Sequence, residues 1–236
     1  MQTSRQLQIL GTISRNPTRM RLAATRSLTM STKSLRNWIE REGNVVDARF
    51  LRVDGFLNHR IAPEFVETAG RLIATEFLTA GVDISCVLTA EAAGNVIAYE
   101  VARQLGTGVR ALYAKKGTAA TMANPITREV ISPTKRKRTT LAVSADYLGP
   151  DDRVLIVDDF LFEGITSCAL AEIVEEAGAT LAGLAFVIEK GFAPGRSVVE
   201  RLDVPTVSLV TIESMDPESS VIHFGGRETH LGSCPS

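Results

Sequence analysis

The chain has 236 residues, 44% of them hydrophobic and 22% charged, with a formal net charge of −1. That suits one α/β domain with a short appendage and a core large enough to need no staples, and a near-neutral balance gives no bulk attraction to nucleic acid. No apolar run reaches the ~18–20 residues of a membrane span, and Cys86, Cys168 and Cys234 are too far apart for a disulfide framework or a CxxC metal site.

The charge is unevenly spread. Residues 1–33 hold six basic residues and no acidic one, so the remaining 203 carry a balance of −7. This Ser/Thr/Arg-rich leader has the composition of an organelle transit peptide, and equally of a disordered tail ahead of a start at Met30. Folding is expected over 34–222, with a C-terminal tail over 223–236.

Ser34 is positioned to cap a short helix carrying Leu35, Trp38 and Ile39. Residues 49–53 read as a short strand. Pro63 suits the first turn of a helix whose apolar side is Phe65, Val66, Ala69, Leu72, Ile73 and Phe77, stopped at Gly81. A buried strand over 84–89, a helix with Ile97, Val101 and Leu105 on one face, and a strand over 109–114 form a βαβ unit. Its two strands should be parallel. Gly106 and Gly108 end the helix and turn the chain, so they make no dinucleotide fingerprint.

Residues 115–150 break the alternation. Two strand-like pieces, 128–132 and 139–144, flank the basic run Lys135–Arg138, which reads as the solvated tip of a mobile hairpin outside the sheet rather than a nucleic-acid patch or nuclear signal. Alternation resumes with a strand over 154–157 and a helix burying Leu170, Ile173, Val174 and Ala177, closed by Gly178. Strands over 183–189 and 206–212 follow, and the chain frays from Gly225. The expected architecture is an open, largely parallel twisted sheet with helices on both faces.

The segment Val154–Ser167 carries the chemistry. A buried strand ends in Asp158 and Asp159, and a loop with Gly164 and Thr166 opens a helix. Ligands in open α/β sheets bind at the carboxyl ends of strands. A helix N-terminus offers free N–H groups to a phosphate, and an acid pair accepts from sugar hydroxyls or organises a hydrated Mg²⁺. The arrangement reads as a site for a phosphorylated sugar. Histidines 59, 223 and 230 have no ligand spacing, and Cys86 and Cys168 read as small core residues.

This segment resembles the 5-phosphoribosyl 1-diphosphate (PRPP) signature of type I phosphoribosyltransferases. Residues 51–59 resemble the base-binding start of the bacterial xanthine phosphoribosyltransferases, residues 91–94 their loop after the second core strand, and residues 187–195 their base-binding hood. The likeness is collinear from about residue 34 to about 222. It implies a type I phosphoribosyltransferase fold with a flexible hairpin loop and a small hood. It implies transfer of the phosphoribosyl group from PRPP to N9 of xanthine, giving xanthosine monophosphate and diphosphate in purine salvage, with Mg²⁺ carried by PRPP rather than held in a side-chain cage. It also implies a homodimer; the chain is expected in the cytoplasm or, through the basic leader, in a mitochondrion or plastid, and its charge and hydropathy suggest no nucleic-acid or membrane partner.

Carried over residue by residue, the resemblance gives Phe162, Glu163, Gly164, Ile165 and Thr166 to the 5′-phosphate loop. Asp158 and Asp159 become the ribose-facing pair, and Lys115 or Lys116 the lysine near the diphosphate. Lys190 reads O6 and N7 of the purine, Asn58 donates towards the 2-oxo group, Leu51 makes an apolar contact and Phe192 stacks on the base. Two departures stand out. The family has a small residue and Asn where this chain has Phe162 and Glu163, which sets a carboxylate beside a phosphate. It also has Ser where this chain has Gly55, a change expected to loosen the segment bearing Asn58. Alternatives are a guanine or hypoxanthine preference, a PRPP-sensing regulator, or an inactive paralogue with the same fold.

Overall fold

A computed structural model describes residues 32–117, 122–131, 138–225 and 231. Residues 1–31, 118–121, 132–137 (with Lys135 of the basic run) and most of the tail beyond Gly225 lie outside the described residues, so of the leader only Thr32 and Lys33 are described.

Residues 32–42 are helical (α1), with Leu35 and Ile39 buried. Ser34 therefore sits inside the helix and not at its cap, because the helical stretch already includes Thr32. Two short strands follow, β1 (Asn44–Val45) and β2 (Leu51–Arg52), paired antiparallel. The strand expected over 49–53 is confined to those two residues, since Arg49 and Phe50 are drawn into a turn. Their backbone N–H groups both donate to the Asp47 carboxylate, at 2.7 and 2.8 Å.

Helix α2 (Pro63–Thr79) starts on its proline and buries the six apolar residues read from its periodicity. The chain then turns at Gly81, whose φ is +71°. Strand β3 (Cys86–Ala90) is fully buried, α3 (Gly94–Leu105) crosses back, and β4 (Arg110–Lys116) lies parallel to β3.

The next segment departs from expectation. Strands β5 (Pro125–Ile131) and β6 (Arg138–Ser144) form the hairpin, but β6 also pairs antiparallel with β4 through Lys115↔Ala142 and Lys116↔Leu141. The hairpin extends the sheet rather than leaving it. Ile126, Val130, Leu141 and Val143 are buried, and Arg128 ties the outer strand to the following helix through Glu172 and Glu176, at 2.8 and 2.6 Å.

Strand β7 (Arg153–Leu161), α4 (Ile165–Glu176), β8 (Thr180–Lys190), α5 (Gly195–Val199), a single 3₁₀ turn (Glu200–Leu202) and β9 (Thr206–Asp216) complete the parallel half. A strand not foreseen, β10 (Val221–Phe224), pairs antiparallel with β9. The expected boundary between residues 222 and 223 would cut it.

The sheet order is β10-β9-β8-β7-β3-β4-β6-β5, parallel through its centre and antiparallel at both ends. One core joins α1, α2 and α3 to one face, and a second joins α4 and Val199 to the other. Continuous apolar runs such as Val154–Val157 are what a strand covered on both faces requires.

Candidate active site

Strand β7 does not stop at the acids. It pairs with β3 only as far as Leu88↔Ile156, yet stays on β8 through Asp158↔Phe186, Phe160↔Ile188 and Leu161↔Glu189. The sheet splits just before Asp158. A strand that loses one neighbour there opens a crevice on that side, so both carboxylates line a cleft while the backbone behind them stays paired. Gly94 makes the close approach of α3 to this point, since a Cβ there would meet the Thr89 hydroxyl and sit 3.3 Å from an Asp158 carboxylate oxygen.

Each acid accepts one following backbone N–H, Asp158 from Asp159 at 2.9 Å and Asp159 from Phe160 at 3.0 Å. Asp158 is held well above the usual carboxylate range, first by desolvation in the cleft floor and then by the adjacent Asp159 charge, with Lys116 pulling the other way. Among the described residues, no group of three or more His, Cys, Asp or Glu side chains is placed to hold a metal ion.

Beyond β7, residues 162–164 turn into α4. Gly164 is left-handed at φ +74°, and a Cβ there would sit 2.9 Å from Val198. Its carbonyl accepts the first helical N–H, from Cys168, at 3.0 Å. The N–H groups ahead of it have no helical acceptor, and residues 164–167 line the cleft, where an anion can take them.

Two adjoining cavities flank the acids. The smaller, about 250 Å³, is lined by Leu51, Asn58, Asp158, Lys190, residues 162–167 and two aromatic rings, Phe50 and Phe160. The larger, about 820 Å³, is bordered by Asp158, Asp159, Thr166, Asn58, Lys116, residues 90–93 and the inner ends of the β5–β6 hairpin, including Arg138. Asp158, Asn58 and Thr166 belong to both. Lys116 lines the larger cavity and Lys115 does not, which separates the two lysines that the sequence left equivalent. The Lys116 N–H also donates to Glu91 at 2.6 Å, tying β4 to the loop after β3, whose Glu91–Ala92 peptide is cis.

Lys190 is nearly buried at the end of β8. Its ammonium donates to the Arg49 carbonyl at 2.6 Å and lies over three rings: Phe162 at 4.5 Å, and Phe50 and Phe160 at 5.2 Å each. Desolvation lowers its pKa to about 8, and the nearby Arg49 charge acts in the same direction, against Asp47 and Asp159. The rings favour the cation by their quadrupoles but replace water incompletely.

Leu51 is buried against the cleft and Asn58 is exposed at its mouth. The turn carrying Asn58 is pinned despite Gly55. Leu57 N–H donates to Val53 at 2.9 Å, Arg60 N–H to Asp54 at 2.8 Å, and Phe56 and Leu57 are fully buried. Backbone bonds, not the side chain at 55, hold the turn in place.

Phe192 is the exception. It is 39% exposed in the turn after β8 and lines neither cavity. The aromatic surface comes instead from Phe50, Phe160 and Phe162, which the sequence reading did not group. A signal was present: residues 158, 160 and 162 alternate along one strand and its continuation, placing an acid and two rings on one side. Behind Lys190, Arg196 forks onto both carboxylate oxygens of buried Glu189 and donates to Ser208 at 2.8 Å, locking α5 against the strand end.

Residues 60–198 match the family described as a phosphoribosyl transferase domain. The chain is 42% identical over 193 residues to a xanthine phosphoribosyltransferase of Brevibacillus brevis, covering 81% of this chain and 95% of that one. It is 40% identical over 200 residues to a xanthine phosphoribosyltransferase of Bacillus licheniformis, covering 84% and 97%. Among solved structures, the adenine phosphoribosyltransferase of Rhodothermus marinus aligns with a TM-score of 0.61 at 21% identity, over 78% of this chain and 99% of that one. That last likeness is one of fold.

Proposed function

The chain belongs to the phosphoribosyltransferase family, and on that premise we propose that it transfers the 5-phosphoribosyl group from PRPP to N9 of xanthine, releasing diphosphate. The carrying observation is that the acid pair, the loop opening α4, and Lys190 with Leu51 and Asn58 line two adjoining cavities that share Asp158. A purine and the ribose it is joined to need that adjacency.

Breaking the C1–O bond puts positive charge on the ribose and negative charge on the departing diphosphate. The task is positioning and electrostatics, with no covalent step on the protein. The start of α4, with Gly164 and Thr166, binds the 5′-phosphate. Asp158 and Asp159 accept from the ribose hydroxyls and face the developing positive charge. Lys116 and Arg138, on the larger cavity, receive the diphosphate. The Lys190 ammonium reads O6 and N7, and Asn58 donates towards O2.

The site fits Mg²⁺ that arrives with PRPP. Two adjacent carboxylates offer hard oxygen donors on the diphosphate side, too few for a closed cage, so substrate oxygens and water must complete the shell. Bound there, Mg²⁺ offsets charge on the leaving diphosphate. The hairpin edge bordering the larger cavity closes over it and keeps water from C1.

Initial rates with PRPP, Mg²⁺ and each purine base test the reading. Xanthine should turn over fastest. Faster guanine or hypoxanthine turnover would move the base preference, and no turnover with any base would favour a PRPP sensor or an inactive paralogue. We also propose a homodimer, checked by light scattering, and a cytoplasmic protein, checked by imaging fusions begun at Met1 and Met30. No helix among the described residues is long and apolar enough to cross a membrane.

A further inference from the structure

One residue outside the roles above touches three parts of the site. Arg49 lies in the turn between β1 and β2. Its N–H is held by Asp47 at 2.7 Å, and its carbonyl accepts the Lys190 ammonium at 2.6 Å. Its guanidinium pairs with Glu163 at 3.7 Å and lies 5.2 Å from the centre of the Phe162 ring. It thus contacts lining residues of the smaller cavity on both sides, Lys190 on the base side and Glu163 in the phosphate loop.

Glu163 poses a charge problem. It stands in the loop proposed to hold a dianionic 5′-phosphate, and its side chain is only 28% exposed. Water alone screens it incompletely, and a carboxylate there opposes the favourable field of the α4 N-terminus. The Arg49 guanidinium is the cation paired with it, and its 63% exposure leaves it able to follow a ligand.

We propose that Arg49 is a positioning residue for PRPP: it neutralises Glu163 and holds the Phe162–Glu163 edge of the loop away from the phosphate. This rests on the reading of residues 162–166 as the phosphate loop. Arg49 acts through Glu163, so its loss should fall on PRPP binding and be reversed by removing the carboxylate.

The test is steady-state kinetics on the full chain for Arg49→Ala, Arg49→Lys, Glu163→Gln and the double variant Arg49→Ala/Glu163→Gln. Ribose 5-phosphate binding is measured alongside by calorimetry. Arg49→Ala should raise KM for PRPP and Kd for ribose 5-phosphate by about fivefold, with kcat little changed and the effect shrinking as salt rises. Arg49→Lys keeps the charge and should lose less than about twofold. Glu163→Gln alone should tighten PRPP, because Arg49 is then released towards the phosphate. The double variant should return to within about twofold of the parent.

A double variant as weak as Arg49→Ala, or a loss borne equally by kcat, overturns the inference and leaves Arg49 as a packing residue. Thr166→Ala separates the two levels. If it weakens ribose 5-phosphate while Arg49→Ala does not, the inference alone fails. If neither does, the phosphate-loop reading fails and takes the inference with it.

Discussion

The two sides of the cleft are built differently. The floor is regular structure: β7 carries Asp158 and Asp159 while hydrogen-bonded to β8, and only three residues separate its end from α4. The facing wall, from β1 to Asn58, has two-residue strands and turns held by individual contacts such as Asp47 to the Arg49 and Phe50 N–H groups. A floor fixed by a buried sheet holds charge where the reaction develops it. A wall fixed by side chains can change its residues without disturbing the sheet. Damage to the floor should therefore strike turnover and PRPP binding, and damage to the wall should strike recognition of the base, except at Arg49, which reaches across to the phosphate loop through Glu163.

The strongest break in that contrast should come at the acids. Asp158→Asn/Asp159→Asn should lower kcat by about 10²-fold or more, since charge aimed at the developing cation is lost. Stability should move the other way. Asp158 is raised in the folded protein, so the folded state binds more protons than the unfolded state between the two pKa values. Stability then falls as pH rises through that window, so burying this acid costs stability above its unfolded pKa. Asp158→Asn alone should raise Tm by about 2–4 °C at pH 7. A Tm that falls would show that Asp158 supports the fold instead.

Gly164→Ala attacks the floor through its backbone. A side chain must adopt φ +74° and displace Val198. We expect a loss of about 1–3 kcal/mol in urea unfolding and a rise of about tenfold in KM for PRPP. On the wall, Leu51→Ala should raise KM for the base by about threefold to tenfold and leave KM for PRPP within about twofold. Equal effects on both substrates would remove the distinction between the two sides.

The floor was legible in the sequence and most of the wall was not, for one physical reason. Periodicity reports burial, so α2, α3, α4 and the central strands emerged with their apolar faces assigned, and Pro63, Gly81 and Gly178 marked turns and ends. Where pairing is non-local the pattern falls silent. Nothing in residues 138–144 tells that β6 joins β4, nor does Asp158-Asp159 look like strand interior, because the partner that keeps it a strand is β8 and its alternation is polar. The wall is further removed still: Arg49, Phe50 and Phe162 are separated in the chain by up to 113 positions and meet only through the fold. Phe192, an aromatic next to a site lysine, drew the stacking role for lack of any signal of where its ring points.

One more effect expected is thermodynamic and falls where floor and wall meet. Lys190 has a folded pKa of about 8 against 10.5 for the free side chain. Below pH 8 both states carry the charge, and the folded protein bears its desolvation. Between about pH 8 and 10.5 the folded state has released the proton and the unfolded state keeps it, so stability rises with pH across that window. Lys190→Met keeps the apolar stem over Phe50, Phe160 and Phe162 and removes the charge. It should be more stable than the parent by about 1–2 kcal/mol at pH 7, with the difference shrinking towards pH 10. Urea unfolding of both proteins at pH 7 and pH 10 measures this, and other titrating groups cancel in the difference. Curves that stay parallel would mean that the three rings and the Arg49 carbonyl repay the desolvation in full. Lys190 would then be a structural tie between the two sides as much as a reader of the base.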